Sequence, residues 1–419
     1  MAPLAIFSDG AVNSKNDQLK FDRYVKPIVG ILTNPQTETP FTIGIFGTWG
    51  SGKTTLLRML DDALARDHED QFVRVHFNPW IHRGEPNLLV PLLHALRDTL
   101  EEDVKHRFIE SAKKIANVLL RLGANVFLKT VTASNVSLED LEKLEKSYVE
   151  KRGEVESVLR RLHHTLQAEA DDIAKNGAKV IFFVDDLDRC DPAQIIDLLE
   201  ATKTFLDLRH VFVVLAVDKE VIDRGIEVKY SKFKFAEKRQ AALGAEYLEK
   251  MVQLPLHLFP LRETQVLSFM KALGAPKSVM EHQELLAKLL LPNPRKIKRV
   301  LNILSVADEI AVATEGLAAL NLKRDVVARL VVLQVQSGEL YAEVAQIPDL
   351  LLALENVYAQ KLDRNDLTAF VAFGSRAEAI QQLCKDYYRP ESYLREVFKD
   401  SPFKAVEKQL ATYLTMLGG

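Results

Sequence analysis

Short apolar, β-branched runs punctuate the first part of the chain: Thr42–Phe46, Val73–Phe77, Val180–Val184, Val211–Val217 and Val252–Leu256. The third and fourth are almost continuously apolar, as strands covered on both faces of a parallel sheet should be. Helical periodicity fills intervals between them, over Thr54–Arg66 and Pro192–Leu206. Strands alternating with helices predict a doubly wound α/β layer with right-handed crossovers. One interval breaks the rhythm. About a hundred residues separate the second run from the third, far more than one crossover needs. Within it Leu138, Leu141, Leu144 and Tyr148, then Val155, Val158, Leu159, Leu162 and Leu166, recur at helical spacing among charges. Two readings stand: a helical hairpin or coiled arm turning near Gly153, and extra helices packed on the flank.

Beyond the fifth run the pattern turns wholly helical. Pro260, Pro276, Pro292 and Pro294 punctuate its first part. Leu330, Leu333 and Leu340 then read as one amphipathic helix, and Leu350, Leu351, Leu354 and Val357 as the next. The expected layout is an α/β core split by its insertion, with 1–100 and 177–260 as its halves and 101–176 as the helical arm. A helical lid-like region over 261–315 and a helical domain over 316–419 complete it.

Composition narrows the setting. The 419 residues are 47% hydrophobic and 27% charged, the balance of a globular protein. A net charge of −3 gives no overall pull toward nucleic acid or acidic membrane. Two cysteines, Cys190 and Cys384, make no disulfide framework and point to a reducing compartment. The most apolar long window, Ile115–Val131, is broken by Arg121 and Lys129, so no transmembrane span is expected. The start of the chain lacks a basic leader with an apolar core. A cytoplasmic protein is the expectation.

The chemistry begins where the first run ends. Gly47-Thr48-Trp49-Gly50-Ser51-Gly52-Lys53-Thr54 has the Walker A spacing and stands between a strand and a helix. Its glycines let backbone N–H groups wrap a triphosphate, and the helix N-terminus adds partial positive charge. Lys53 is expected on the β- and γ-phosphates, and the Thr54 hydroxyl on Mg²⁺. Gly47 to Thr54 together with Thr55 are the expected nucleotide contacts. For Trp49, covering the nucleotide and packing on the surface are alternatives. The third run ends in Asp185-Asp186-Leu187-Asp188-Arg189-Cys190. A buried strand ending in carboxylates fits Walker B, with Asp185 holding Mg²⁺ through water and Asp186 orienting and deprotonating the attacking water. Asp188 and Arg189 read as structural, paired with each other or with a neighbouring element. Asn78 follows the second strand, where it can position water near the γ-phosphate. No zinc-ligand spacing and no nucleophile motif appears. No guanine-selecting Asn-Lys-x-Asp is present either, so ATP is the expected nucleotide.

Taken together, Phe46–Thr54, Phe77-Asn78-Pro79-Trp80 and Asp185–Cys190 resemble the KAP family of P-loop NTPases. Asp17–Phe21, Tyr247–Lys250, Gln253-Leu254-Pro255 and Asn293–Arg299 extend the resemblance over roughly residues 8 to 310. It implies an additional-strand P-loop core with one strand between Walker A and Walker B. Many members carry transmembrane helices where this chain has its broken insertion. It further implies a Mg-dependent ATPase acting as a switch or motor, with an anti-phage role inherited from the phage-exclusion members. By the same resemblance Asp218 is either a γ-phosphate sensor or a helix cap. Arg295 is a lid arginine reaching the γ-phosphate, unless its cluster with Lys296, Lys298 and Arg299 is a nucleic-acid patch or a solvated face. The alternative function is a nucleotide-gated scaffold with little hydrolysis. Partner proteins are expected, and a homo-oligomer and nucleic acid stay open.

Overall fold

The structure, a computed structural model, describes residues 6–10, 17–84, 88–99, 160, 163–230, 246–313, 322–390 and 392–418. The chain forms two compact units, Ala11–Phe259, and Met1–Gly10 with Pro260–Gly419.

In the first unit, β1 (Phe41–Phe46), β2 (Phe72–Phe77), β3 (Lys179–Val184), β4 (Val211–Val217) and β5 (Leu254–His257) make one sheet in the order β2-β3-β4-β1-β5. Every pairing is parallel. The chain steps from β1 to the far edge with β2, then fills the gap with β3 and β4. This is the additional-strand order. β4 is buried at every residue and β3 at all but its first, whereas edge strand β5 alternates half-buried with exposed residues. The central strands carry their apolar runs because helices cover both faces.

Alternate residues sort into two cores, as the pleat requires. On one face Ile43, Ile45, Ile181, Phe183, Phe212 and Val214 meet α1 (Asp22–Thr33) and α2 (Lys53–Asp67). On the other Val75, Phe182, Val184, Val213 and Leu215 meet α3 (Leu89–Thr99), α4 (Pro192–Phe205) and α5 (Lys219–Tyr230). Leu166 and Ala170, within a helix over 163–175, join this second core. The rest of the predicted arm, and the window Ile115–Val131, lie outside the described residues. Among the described residues no helix is long and apolar enough to cross a membrane.

In the second unit, α6 (Glu263–Leu273), α7 (Gln283–Leu289) and α8 (Pro294–Ala313) lead into α9 (Arg324–Gln336). Every side chain from Val326 to Leu333 in α9 is buried. A helix buried all round sits at the centre of its layer. The single amphipathic helix expected through Leu340 is two: the chain breaks at Ser337, and Leu340 belongs to α10 (Gly338–Gln346). The apolar spacing continued across the break because both helices bury their leucines in one core, which spacing alone cannot resolve. Leu350, Leu351, Leu354 and Val357 lie together in α11 (Asp349–Tyr358), as the spacing predicts.

Candidate nucleotide site

Because all strands run in parallel, Gly47, Asn78, Asp185 and Asp218 all stand just past C-terminal strand ends, where open α/β sheets bind ligands. β1 delivers the loop. Gly50 and Gly52 take φ of 86° and 103°, a conformation that a side chain would strain. A Cβ on Gly47 would lie 2.5 Å from the Ser51 hydroxyl. One on Gly52 would lie 2.7 Å from the ring of Phe21, which underpins the loop. The Ser51 hydroxyl is buried with no hydrogen-bond partner among the described residues. An unsatisfied buried hydroxyl in a glycine-lined turn at a helix start suits phosphate oxygens.

Lys53 opens α2 and is buried, 7% exposed. Its ammonium donates to the Gly47 carbonyl at 2.9 Å, the Thr48 carbonyl at 3.4 Å and the Asp188 carboxylate at 2.9 Å. The Thr54 hydroxyl donates to Asp185 Oδ1 at 3.2 Å, joining the β1 and β3 ends. The Asp186 amide donates to the same oxygen at 2.8 Å. Burial nevertheless pushes the Asp185 carboxyl above the usual carboxylate range, against the pull of those two hydrogen bonds. A cation placed beside it would reverse that burial effect. The pairing of a hydroxyl and a carboxylate at the loop end is a donor set that fits Mg²⁺ held by phosphate and water.

Asp186 leaves the strand in the left-handed region, φ 57°. This is the turn required if neighbouring residues of one strand are to serve the same site. Its Oδ2 accepts from the Asn78 amide at 3.0 Å, and its Oδ1 meets Arg189 Nε at 2.9 Å. Asn78 Oδ1 accepts from the Trp80 amide at 3.0 Å, capping the short helix Pro79–His82. Asn78 thus bridges the Asp186 carboxylate and the turn that follows β2. Trp80 is flanked by Arg83 and Arg189, whose guanidinium carbons lie 5.3 and 5.1 Å from its ring centroid. A cavity of about 360 Å³ opens beside Asn78 and Asp185, walled also by Arg58, Asp61 and His82.

Residues 21–311 match the KAP family P-loop domain. The chain belongs to the KAP family. Within it, the chain is 24% identical over 243 residues to the phage T7 exclusion protein of Escherichia coli, covering 54% of this chain and 31% of that one. An uncharacterized protein of Methanocaldococcus jannaschii is 27% identical over 177 residues, covering 33% of this chain and 87% of the other. Kinase D-interacting substrate of 220 kDa from Rattus norvegicus is 38% identical over 48 residues, 12% of this chain and 3% of that protein. This KAP chain thus spans about a third of the exclusion protein's length.

The fold of this KAP domain gathers Lys53, Thr54, Asp185, Asp186 and Asn78 around one loop. Thr55 is buried in α2 behind it, and Trp49 is 59% exposed. Asp218 accepts from the Glu220 amide at 3.1 Å at the start of α5, which is a cap contact. Arg295 stands in the other unit, where its Nε lies 3.5 Å from Asp9. Asp9 also pairs with Arg299, and Lys298 donates to the Ser8 carbonyl, so residues 8 and 9 occupy much of that basic cluster. Two contacts of the site were not named from the sequence. Of its two expected alternatives Asp188 takes the neighbouring element, through Lys53, and not Arg189, while Phe21 supports Gly52. Phe21 closes the Asp17–Phe21 motif, which was a signal for the second. The first had none.

Proposed function

We propose that this chain binds ATP with Mg²⁺ and hydrolyses it, as a switch or motor whose cycle is read by partner proteins. The observation that carries this reading is the 3.2 Å contact between Thr54 and Asp185, which brings the ends of β1 and β3 to one point. The loop amides, the N-terminus of α2 and Lys53 would bind and orient the triphosphate. Thr54, and Asp185 through water, would hold Mg²⁺, which when bound neutralises charge on the transferred phosphoryl group. Asp186 is the acid to orient a water and take its proton. Each of its oxygens is engaged by one donor, yet a carboxylate oxygen has a second lone pair to offer. Asp218 at the β4 end is available to sense the same phosphate, and Arg295 is the lid candidate.

Phosphate release from the purified full chain, with and without Mg²⁺, tests the reading. The expected result is Mg-dependent turnover that Asp186→Asn lowers by about 10²-fold or more. Absence of turnover alone and with partner chains would sink it. A second reading, a nucleotide-gated scaffold, is favoured by the double engagement of Asp186 by Asn78 and Arg189. It expects micromolar ATP binding without turnover. The likeness to an exclusion protein supports an anti-phage role. Plaque counts on cells carrying the wild-type chain or Lys53→Ala check it, with protection expected only from the wild type.

A further inference from the structure

Lys53 and Asp188 are 135 residues apart in sequence and 7% and 9% exposed at their side chains. Among the described residues Lys53 is the cation that Asp188 pairs with. With Gly47 and Thr48 carbonyls as its other acceptors, the ammonium has each of its three N–H groups aimed at a partner. A phosphate can reach Lys53 only by displacing one of them. The carbonyls are neutral, and Asp188 is the partner whose charge competes with phosphate.

The displacement has a consequence for charge. Asp185, Asp186 and Asp188 fall within one four-residue turn, and the cations paired with them are Lys53 and Arg189. Once Lys53 turns to a triphosphate, Asp188 is left as a buried carboxylate facing more negative charge. Buried unpaired charge is strongly disfavoured, and removing one partner of a buried pair exposes that penalty. A divalent cation arriving with the triphosphate returns the positive charge that Lys53 withdrew. Resting on the reading of Gly47–Thr54 as a nucleotide site, we propose that Asp188 is a specificity-determining residue: it makes the site accept the magnesium complex of ATP and reject metal-free ATP. The same ion pair holds Lys53 against the loop until that complex arrives.

Two measurements on the full chain test this. Equilibrium titrations with ATP in excess Mg²⁺ and with ATP in EDTA give the selectivity ratio for wild type, Asp188→Asn and Asp188→Ser. The expected outcome is a wild-type preference for the magnesium complex that falls about tenfold or more in either variant, chiefly because metal-free ATP binds tighter. An unchanged ratio, or weaker binding of both forms in equal measure, overturns the proposal. Thermal melts without nucleotide supply a second test that needs no ligand. Lys53→Met is expected to lower the midpoint, and adding Asp188→Asn to it is expected to raise the midpoint again, since no buried ion is then stranded. A double variant less stable than Lys53→Met overturns the pairing. Should wild type bind ATP in neither form, the nucleotide reading itself falls, and the selectivity falls with it. The melts still report on the ion pair.

Discussion

Each unit buries charge, and the two do so by opposite means. In the α/β unit a buried lysine faces a buried aspartate, side chain to side chain, beside a glycine loop. In the helical unit the buried charges are tied to backbone. Arg329, 7% exposed on α9, donates to the carbonyls of Glu396 and Val397, the latter at 2.6 Å. Glu355, 2% exposed on α11, accepts from the amides of Phe403 and Lys404, the latter at 3.0 Å. Backbone partners cannot leave without unfolding their segment, so Arg329 pins the short helix Leu394–Val397 to α9, and Glu355 pins the start of the 3-10 helix Lys404–Gln409 to α11. A side-chain partner can be exchanged for a ligand of like charge. Burial alone therefore does not mark a functional ion; the kind of partner does.

The largest expected effect is on catalysis: Asp186→Asn should lower Mg-dependent turnover about 10²- to 10⁴-fold while ATP affinity changes little. A variant with wild-type turnover in a phosphate-release assay would remove Asp186 from the chemistry. Next comes the pinned carboxylate. Glu355→Ala strands two amides that it satisfied and should cost about 2–5 kcal/mol in denaturant unfolding, with no change in nucleotide affinity. Loss of ATP binding by the folded variant would contradict the division of roles.

Glu355 also has a pH signature. Burial raises its carboxyl above the ordinary 4.5, outweighing the two amide hydrogen bonds. The native state therefore binds its proton more tightly than the unfolded chain does. Its contribution is most favourable below pH 4.5 and is lost as the pH rises through the raised native value. The stability of wild type relative to Glu355→Gln, measured against pH, should fall across that window and level off above it. A difference that instead grows with pH would contradict the burial argument.

The smallest effect concerns Asp218. As a cap on α5 it should contribute about 1 kcal/mol, lost in Asp218→Ala. If the melt shifts and turnover holds, Asp218 is only a cap. A fall in turnover exceeding the stability loss makes it a phosphate sensor as well.

The loop, the Walker B strand and Asp185 were legible in the sequence because each is a contiguous pattern whose geometry is local. The buried strands were legible too, since continuous apolar runs require cover on both faces. The contacts that shape the site are not local. Asn78 and Asp186 are 108 residues apart, and Lys53 and Asp188 further still. Their meeting depends on β3 and β4 filling the gap between β1 and β2, an order that no single segment encodes. Expecting Asp188 to pair with Arg189 or a neighbour left its true partner unnamed, since a tight turn aims successive side chains in different directions. The break at Ser337 was hidden for a different reason: a helix end capped only by backbone, between two buried leucine stripes, leaves no mark in apolar spacing.

In the proposed function Gly47–Thr54 is a nucleotide site organised by Lys53, and calorimetric titration of the full chain with ATP and Mg²⁺ is the test. A saturable single site in wild type, weakened about a hundredfold or more in Lys53→Ala, is the predicted result. Equal binding by the folded variant, or none by the wild type, would contradict it.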